Sequence, residues 1–487
     1  MEIVRPALTR FAAAVVAAAA LAGCATVGPD YHAPASALTQ PFGHADALAA
    51  RPAALPAPAL DAWWNGFDDP ELTRIVERAL AQNLDLAAAL ARVDQARAAA
   101  AHADADRLPQ GSLDAGAARQ RQSLRSPLGE LARHAPGYDR DNTLLDVGAG
   151  ASWELDLAGG LARGAEAARA DVQAAEAERL GVRVSIAAEA ADAYFRARGA
   201  QERIALAQEQ VHTSEGLLQI IQWRLDDGLS NLREKAQAES VLAQARATIP
   251  PLRAELERQF NRLDVLMGAQ PGTWAAELRT AVAARDTLRV PAIGGYAGPD
   301  GPAEVLRRRP DVIAAERRLA ASSARIGEAT AAYYPKVSLS ALLGFESLGA
   351  PGLFSADAFQ PTAALGLRWR LFDFGRVDAE VAQAKGANAQ ALAAYRQSML
   401  RAAEDVENAV VTLVELEAQS RELRTEVDAH AAARESAQEA YKGGAVSLIE
   451  VLDEDRQLLA ARDELARTNV DDARAAVATF RAMGGGW

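Results

Sequence analysis

The stretch Tyr441–Arg456, YKGGAVSLIEVLDEDR, carries a Gly-Gly break and then the acids Glu450, Asp453 and Asp455. Two very long segments of heptad-like pattern flank it, so it reads as the turn and first helical turns of a hairpin tip. A weaker copy stands at Trp223–Glu239, WRLDDGLSNLREKAQAE. In register, Gly228 pairs with Gly444, Leu232 with Leu448, Leu242 with Leu458 and Arg246 with Arg462, always 216 residues apart. A chain that writes one tip twice is a duplicated, elongated scaffold.

Working outward from the tips, Leu161–Leu225 has helical pattern without proline. As one helix it would be about 100 Å long, the length of a coiled-coil element rather than a globular one. A second helix, 231–267, returns from the tip, and Pro250-Pro251 predicts a kink or break in it. Residues 268–301 read as a Gly- and Pro-rich linker. Upstream, Asp68 or Asp69 with Pro70 marks a helix start, and that helix runs to about Leu108, where Pro109 stops it. Leu145, Val147, Ala149, Ala151, Trp153, Leu155 and Leu157 alternate with Gly, Asp, Ser and Glu. This two-residue period defines a strand with one apolar face. Strands are expected at about 111–120, 143–157, 336–347 and 362–374. EVLRRRPDVIAAERRLA, residues 304–320, repeats the first helix at an offset of 226, matching Asp311 to Asp85. Trp369 matches Trp153 at 216, so the first strand-to-strand loop is ten residues longer than the second. Helices 376–442 and 447–483 complete the second copy.

The domain reading is therefore a signal peptide over 1–23, an arm over 24–60, a first repeat over 61–267 with its hairpin at 158–267, a linker over 268–301, and a second repeat over 302–487 with its hairpin at 376–483. The fold class is mainly α with a transmembrane β-barrel. Four strands cannot close a barrel, since the smallest membrane barrels have about eight, so the chain must oligomerise.

Arg5 and Arg10 precede an apolar run, Phe11–Ala22, that is too short to span a bilayer. It ends in Leu-Ala-Gly-Cys24, which resembles a bacterial lipoprotein cleavage box. Cys24 is the chain's single cysteine, which suits lipid attachment and leaves none for disulfides. Ala25 rather than Asp follows it, which points to the outer membrane. A net charge of −13 argues against nucleic acid. The six His residues are scattered outside any metal spacing, and neither a nucleophile motif nor a phosphate-binding GxxxxGK loop is present. The chain is read as no enzyme, with no cofactor beyond covalent lipid on Cys24. A coiled-coil adaptor is the other rival, but it would lack apolar strands at matched places in both copies.

Residues 24–31 (CATVGPDY), the WWNGFDDPEL stretch, RRRPDVIAAERRLA, YYPKVSLS, LFDFGR, YKGGAVSLIEVLD and the final GGGW together resemble the TolC-like outer membrane factor family, in its lipoprotein branch associated with RND efflux systems. The resemblance implies a homotrimer in outer membrane lipid, with a twelve-stranded β-barrel and a periplasmic α-helical barrel. It implies a passive conduit for drugs or other toxic small molecules, partnered by a periplasmic adaptor (membrane fusion protein) and an inner-membrane RND transporter. Type I secretion and metal-ion efflux are the alternatives.

By the same resemblance Glu450 and Asp453, one helix face apart, ring the gate constriction with Ile449 beside them. Like charges brought together by threefold symmetry repel, and such a ring attracts cations and makes conductance pH-dependent. The plainer reading is a solvated acidic first turn favoured by the helix dipole. In the family a basic residue two positions after the tip glycine can bond an acid on the first tip. Here that basic position is Val446 and the acid is Glu234. Tyr441 stands at the latch tyrosine, so Arg456, Arg233, Lys235 or Lys442 would complete a different latch. Gly228, Gly443 and Gly444 mark the expected adaptor-docking surface. Trp153 and Trp369 are read either as interfacial aromatics or as plain apolar contacts.

Overall fold

The computed structural model describes residues 26–35, 38, 41–51, 55–280, 289–294 and 302–487. The expected signal peptide over 1–23 and the expected lipid site Cys24 lie outside the described residues.

In chain order, α1 (Ala45–Ala49) and a 3-10 segment (Leu60–Phe67) precede α2 (Pro70–Gln82) and α3 (Leu84–Ala105). Next come β1 (Gln110–Arg121), α4 (Pro127–Ala132), β2 (Asp141–Leu155), α5 (Gly160–Asp226) and α6 (Leu232–Leu266). After α7 (Ala275–Thr280) and α8 (Pro302–Arg307) the pattern restarts with α9 (Pro310–Ala331), β3 (Lys336–Ser347), β4 (Phe359–Arg368), α10 (Arg376–Lys442) and α11 (Leu448–Ala482). The duplication holds to the residue: α5 and α10 each have 67 residues, and α6 and α11 each have 35.

Three local expectations are corrected. The helix from Pro70 to about Leu108 is two helices, because Asn83 takes an extended ψ of 130° and its Oδ1 accepts from the N–H groups of Asp85 and Leu86, starting α3 afresh. Pro250 and Pro251 do not break α6, which continues through them. Ion pairs from Arg246 to Glu215 and from Arg262 to Glu189 hold α6 against α5 on both sides of the prolines and offset the lost N–H groups. The last strand ends at Arg368 rather than near Phe374, because Asp373 caps α10 by accepting from the N–H groups of Gly375 and Val377. The loop between β1 and β2 also contains the short α4, capped by Ser126.

The chain divides into two compact units. The first takes the residues up to Pro34 together with Asp94–Ala174 and Glu316–Ala394. Its sheet is an antiparallel β1-β2-β3-β4 ribbon with both outer edges open. Pro361 sits in the edge strand β4, where its missing N–H costs no ladder bond inside the sheet. The arm is seated by close approach. A Cβ on Gly28, whose φ is +92°, would lie 2.3 Å from the Gly327 Cα, so a side chain is excluded there. Arg163 donates to the Val27 carbonyl and to Asp30 at 2.7 Å.

The second unit takes Ala35–Val93, Ala175–Ala315 and Tyr395–Trp487. Within it α5 packs between α6 and α11. Arg203 makes two bonds to Asp463, at 2.7 and 2.9 Å, Arg474 reaches Asp192, and a Cβ on Gly199 would meet Val470 at 2.5 Å. α11 in turn meets α10 through Ser420–Asn469 at 2.9 Å and Arg434–Asp455. Small residues along these helices allow the close approach, as at the buried Ala187, Ala190, Ala191, Ala473 and Ala476. An aromatic node joins the two ends of the sequence: Trp63 stacks on Phe480 at 5.4 Å, and Phe67 meets Phe195 at 5.1 Å. The Gly486 N–H donates to the Leu60 carbonyl at 2.7 Å, and the Gly486 carbonyl accepts from Arg183.

Candidate functional site: the sheet face and the hairpin tips

The strand register sorts the sheet into two chemistries. One row joins Leu113, Ala149, Leu343 and Pro361, and others join Trp153 to Leu339 and Leu365, and Val147 to Phe345 and Phe359. The opposite face carries Asp114, Gly148, Gly344 and Gln360 in one row, and Gln110, Ser152, Ser340 and Ala364 in another. Leu342 and Leu144 interrupt the second face. The apolar side is exposed at Leu113, Leu343, Leu365 and Leu367. A soluble chain does not leave such a face in water. Along β2 it runs from Leu145 to Leu155, which at usual strand tilt gives a band about 25 Å tall.

Trp153 and Trp369 occupy equivalent places. Trp153 Nε1 donates to the Arg107 carbonyl at 2.9 Å and Trp369 Nε1 to the Tyr333 carbonyl at 3.0 Å, both at the junction between a helix and the following strand. Both rings stay more than a third exposed. An exposed ring with a satisfied polar tip suits a membrane interface.

The two tips share one backbone. Gly228 (φ +72°) and Gly444 (φ +74°) each stand just past a helix end. Leu229 N–H donates to Arg224 O at 2.7 Å and Gly228 N–H to Leu225 O at 3.0 Å, while Ala445 donates to Ala440 at 2.8 Å and Gly444 to Tyr441 at 3.0 Å. This paired bonding is the Schellman motif, and a left-handed residue is what it requires. A Cβ at Gly228 or Gly444 would meet nothing within 4 Å, and one at Gly443 only carbonyls at 3.6 Å. These three glycines therefore mark open surface. Beneath the tips, Ile221, Ala238, Leu448 and Leu452 form a buried cluster against which Tyr441 packs.

Glu450 sits in a capping box. Its carboxylate accepts from the Ser447 N–H at 3.2 Å, and its own N–H lies at Ser447. Asp453 accepts from Arg456 at 2.9 Å and from Gln457 at 2.9 Å. Ile449, beside them, is 46 % exposed. The expected latch set is not brought together within the chain. Glu234 is held by Ser230 at 2.6 Å and Asn231 at 3.0 Å, Arg456 is spent on Asp453, and Tyr441 accepts instead from Arg224 at 2.5 Å. Arg224 was missed by sequence reasoning. Its signal was being the cation in the last turn of α5, where the helix dipole favours one. Lys442 pairs with Glu439 and Lys235 with Glu239.

A further pair of residues went unread. Asn83 Nδ2 donates to the Leu266 carbonyl at 2.9 Å, and Arg309 donates to the Ala482 carbonyl at 2.9 Å. The donors are 226 apart and the acceptors 216, the same offsets as their repeats. Each caps the C-terminal end of a returning helix. Arg309 also binds Asp311 and Asp405, both at 2.9 Å.

Arg51 binds Glu417 at 2.6 Å and the Pro291 carbonyl at 2.8 Å, tying the arm to α10. Burial and then the Glu417 charge push the carboxyl of Asp472 up to about 7, against the opposing charges of Arg51, Arg424 and Arg421. Among the described residues no His, Cys, Asp and Glu cluster could hold a metal ion. No described helix is long and apolar enough to cross a membrane.

A four-stranded sheet with one apolar face and two open edges, written between duplicated long hairpins, defines a channel-forming membrane protein whose barrel is completed by further copies. The outer membrane efflux protein family matches residues 75–269 and 301–485. The pyoverdine export outer membrane protein OpmQ of Pseudomonas putida is 33 % identical over 96 % of this chain and 95 % of its own length. The probable outer membrane lipoprotein SilC of Salmonella typhimurium is 28 % identical over 96 % of each. The solved outer-membrane channel OprN superposes with a TM-score of 0.83 at 35 % identity, covering 95 % of this chain and all of that one. The chain belongs to the outer membrane efflux protein family. It is an efflux channel protein of the outer membrane, and its β-barrel is a property of the trimer.

Proposed function

We propose that three copies of this chain form the outer membrane exit duct of a tripartite pump, taking small molecules from an inner-membrane RND transporter through a periplasmic adaptor. The observation that carries this is the sheet with one apolar face and one polar face. Three such sheets, joined β4 to β1, give twelve strands with lipid outside and water inside. The conduit has no energy source of its own, so opening must come from a partner that binds the open state better. The open surface at Gly228, Gly443 and Gly444 is the adaptor's docking site. Glu450 and Asp453 line the constriction with Ile449. Their local bonds to Ser447 and Arg456 fix both carboxylates in place. Covalent lipid on Cys24 anchors the arm. In support, Thr26 lies against Gly159, at the helix end of the sheet, where a Cβ would meet it at 2.5 Å.

The test is conductance of the purified trimer in planar bilayers from neutral to acidic pH. Wild type should show a small, pH-sensitive conductance. Glu450→Ala/Asp453→Ala should raise it several-fold and flatten the pH response. An unchanged conductance with unchanged drug efflux in cells would remove these two residues from the gate.

A further inference from the structure

The outward face of the sheet does not end the same way on its two hairpins. Alternate residues of β1 on that face are Leu113, Ala115 and Ala117, then Arg119 and Arg121. Their partners on β2 are Ala149, Val147 and Leu145, then Thr143 and Asp141. The apolar band therefore gives way to two arginines about 7 Å apart along the strand, at the end away from the long helices. Arg119 has no acidic partner among the described residues. Arg121 has only a loose pair with Asp141 at 3.6 Å and a side chain 67 % exposed. Arg125 follows in the loop, exposed and also without an acidic partner among the described residues. The second hairpin ends earlier and differently, since β3 stops opposite Leu145 and its last outward row is Val147, Phe345 and Phe359. Phe345 meets Phe354 and Phe359 at 5.5 and 5.4 Å, and no Lys, Arg or His lies between Ser347 and Phe359.

Given the orientation in the proposed function, on which this inference rests, that end of the band lies at the headgroups of the outer leaflet. We propose that Arg119 and Arg121 form a binding site for the phosphate groups of an anionic lipid in that leaflet. Three features carry it. The guanidiniums stand on the lipid-facing side, not the lumen side, so the ligand is a lipid and not cargo. Their aliphatic stems continue the apolar surface while the charged heads reach upward. A guanidinium matches phosphate oxygens with two parallel bonds, and a neighbouring pair can hold one group or bridge two. In the trimer, three basic sites then alternate with three aromatic ones, giving each chain one charged and one apolar contact with the leaflet.

The experiment titrates diphosphorylated lipid A into the full-length trimer in zwitterionic detergent, counting bound lipid by native mass spectrometry. Dephosphorylated lipid A is the matched probe. Wild type should retain the phosphorylated lipid, more weakly as salt rises, and should bind the dephosphorylated lipid far less. Arg119→Ala/Arg121→Ala should weaken retention roughly tenfold or more, as expected for two cations near an anionic surface. Arg119→Lys/Arg121→Lys should recover part of it. Equal retention by the double alanine chain overturns the site, and so does equal binding of the two lipids by wild type. Heat-resistant trimers and conductance, measured on the same samples, separate a lost lipid site from a lost channel. Should the alanine chain fail to assemble, Arg119→Gln/Arg121→Gln carries the same test.

Discussion

The two halves of the chain solve the same problem with different side chains. At the tips the backbone is one motif made twice, down to the glycine that lets the chain turn left-handed. At the inner ends of the returning helices the geometry is again repeated, but the first copy uses a neutral amide, Asn83, and the second a guanidinium, Arg309. Asn83 satisfies one carbonyl and two N–H groups. Arg309 satisfies two carbonyls and two carboxylates while almost wholly buried. Duplication therefore preserved where polar groups must be met and left open which residue meets them. A helix end leaves unsatisfied carbonyls whatever the surrounding sequence.

The largest expected effect breaks this equivalence. Arg309→Ala leaves the buried carbonyls of Ala402 and Ala482 without their donor and frees the half-exposed carboxylates of Asp311 and Asp405, and should cost about 2–4 kcal/mol. Asn83→Ala should cost about 1–3 kcal/mol. Equal losses in thermal unfolding of the trimer would mean that the second copy gains nothing from its charges.

Asp472 tests the seat of the arm, where Arg51 meets Glu417. Its folded carboxyl ionises near 7, above its ordinary value of 3.8. The folded chain therefore holds a proton that the unfolded chain releases. Its stabilising contribution is full below about pH 4 and is lost as pH rises through 7. Asp472→Asn should stabilise the protein by roughly 2 kcal/mol at pH 8 and make no difference at pH 4. A chain whose melting temperature responds to pH identically with and without this carboxyl would dismiss the residue as the cause.

The tips come next. Gly228→Ala and Gly444→Ala should each cost about 1 kcal/mol or slightly more, since the left-handed backbone is penalised and no neighbour is struck. A matched loss in stability with a larger loss of efflux for one of them would show which tip the adaptor reads. The smallest effect belongs to Tyr441→Phe, which removes the bond from Arg224 and should cost about 1 kcal/mol. If proteolysis at the tips is unaffected, the pin between α5 and α10 lies in the apolar cluster below and not in this bond.

How much could be read beforehand follows from which signals are local. Glycine at a turn, proline at a helix start and alternation in a strand each act within a few residues, so Gly444, Pro70 and the Leu145–Leu155 face were legible. Asn83 was not, because the residues around it keep their helical pattern, and its part in ending one helix and starting the next shows only in the bonds it makes to the N–H groups of Asp85 and Leu86 and to the distant Leu266 carbonyl. Arg224 was passed over for a similar reason: the residue 216 positions on is Ala440, so the repeat gave no cue.

By itself the sequence determined the duplication, the number and faces of the strands, and hence a barrel that one chain cannot close. These follow from periodicity and spacing, which a linear text carries. The tertiary structure alone decided that Asn83 and Arg309 are equivalent and that Tyr441 is bound by Arg224. It also decided that the prolines of α6 pass unbroken and that two arginines cap the outward face of only one hairpin. Each of these depends on groups brought together from remote positions, where burial and partner geometry, not local preference, set the energy.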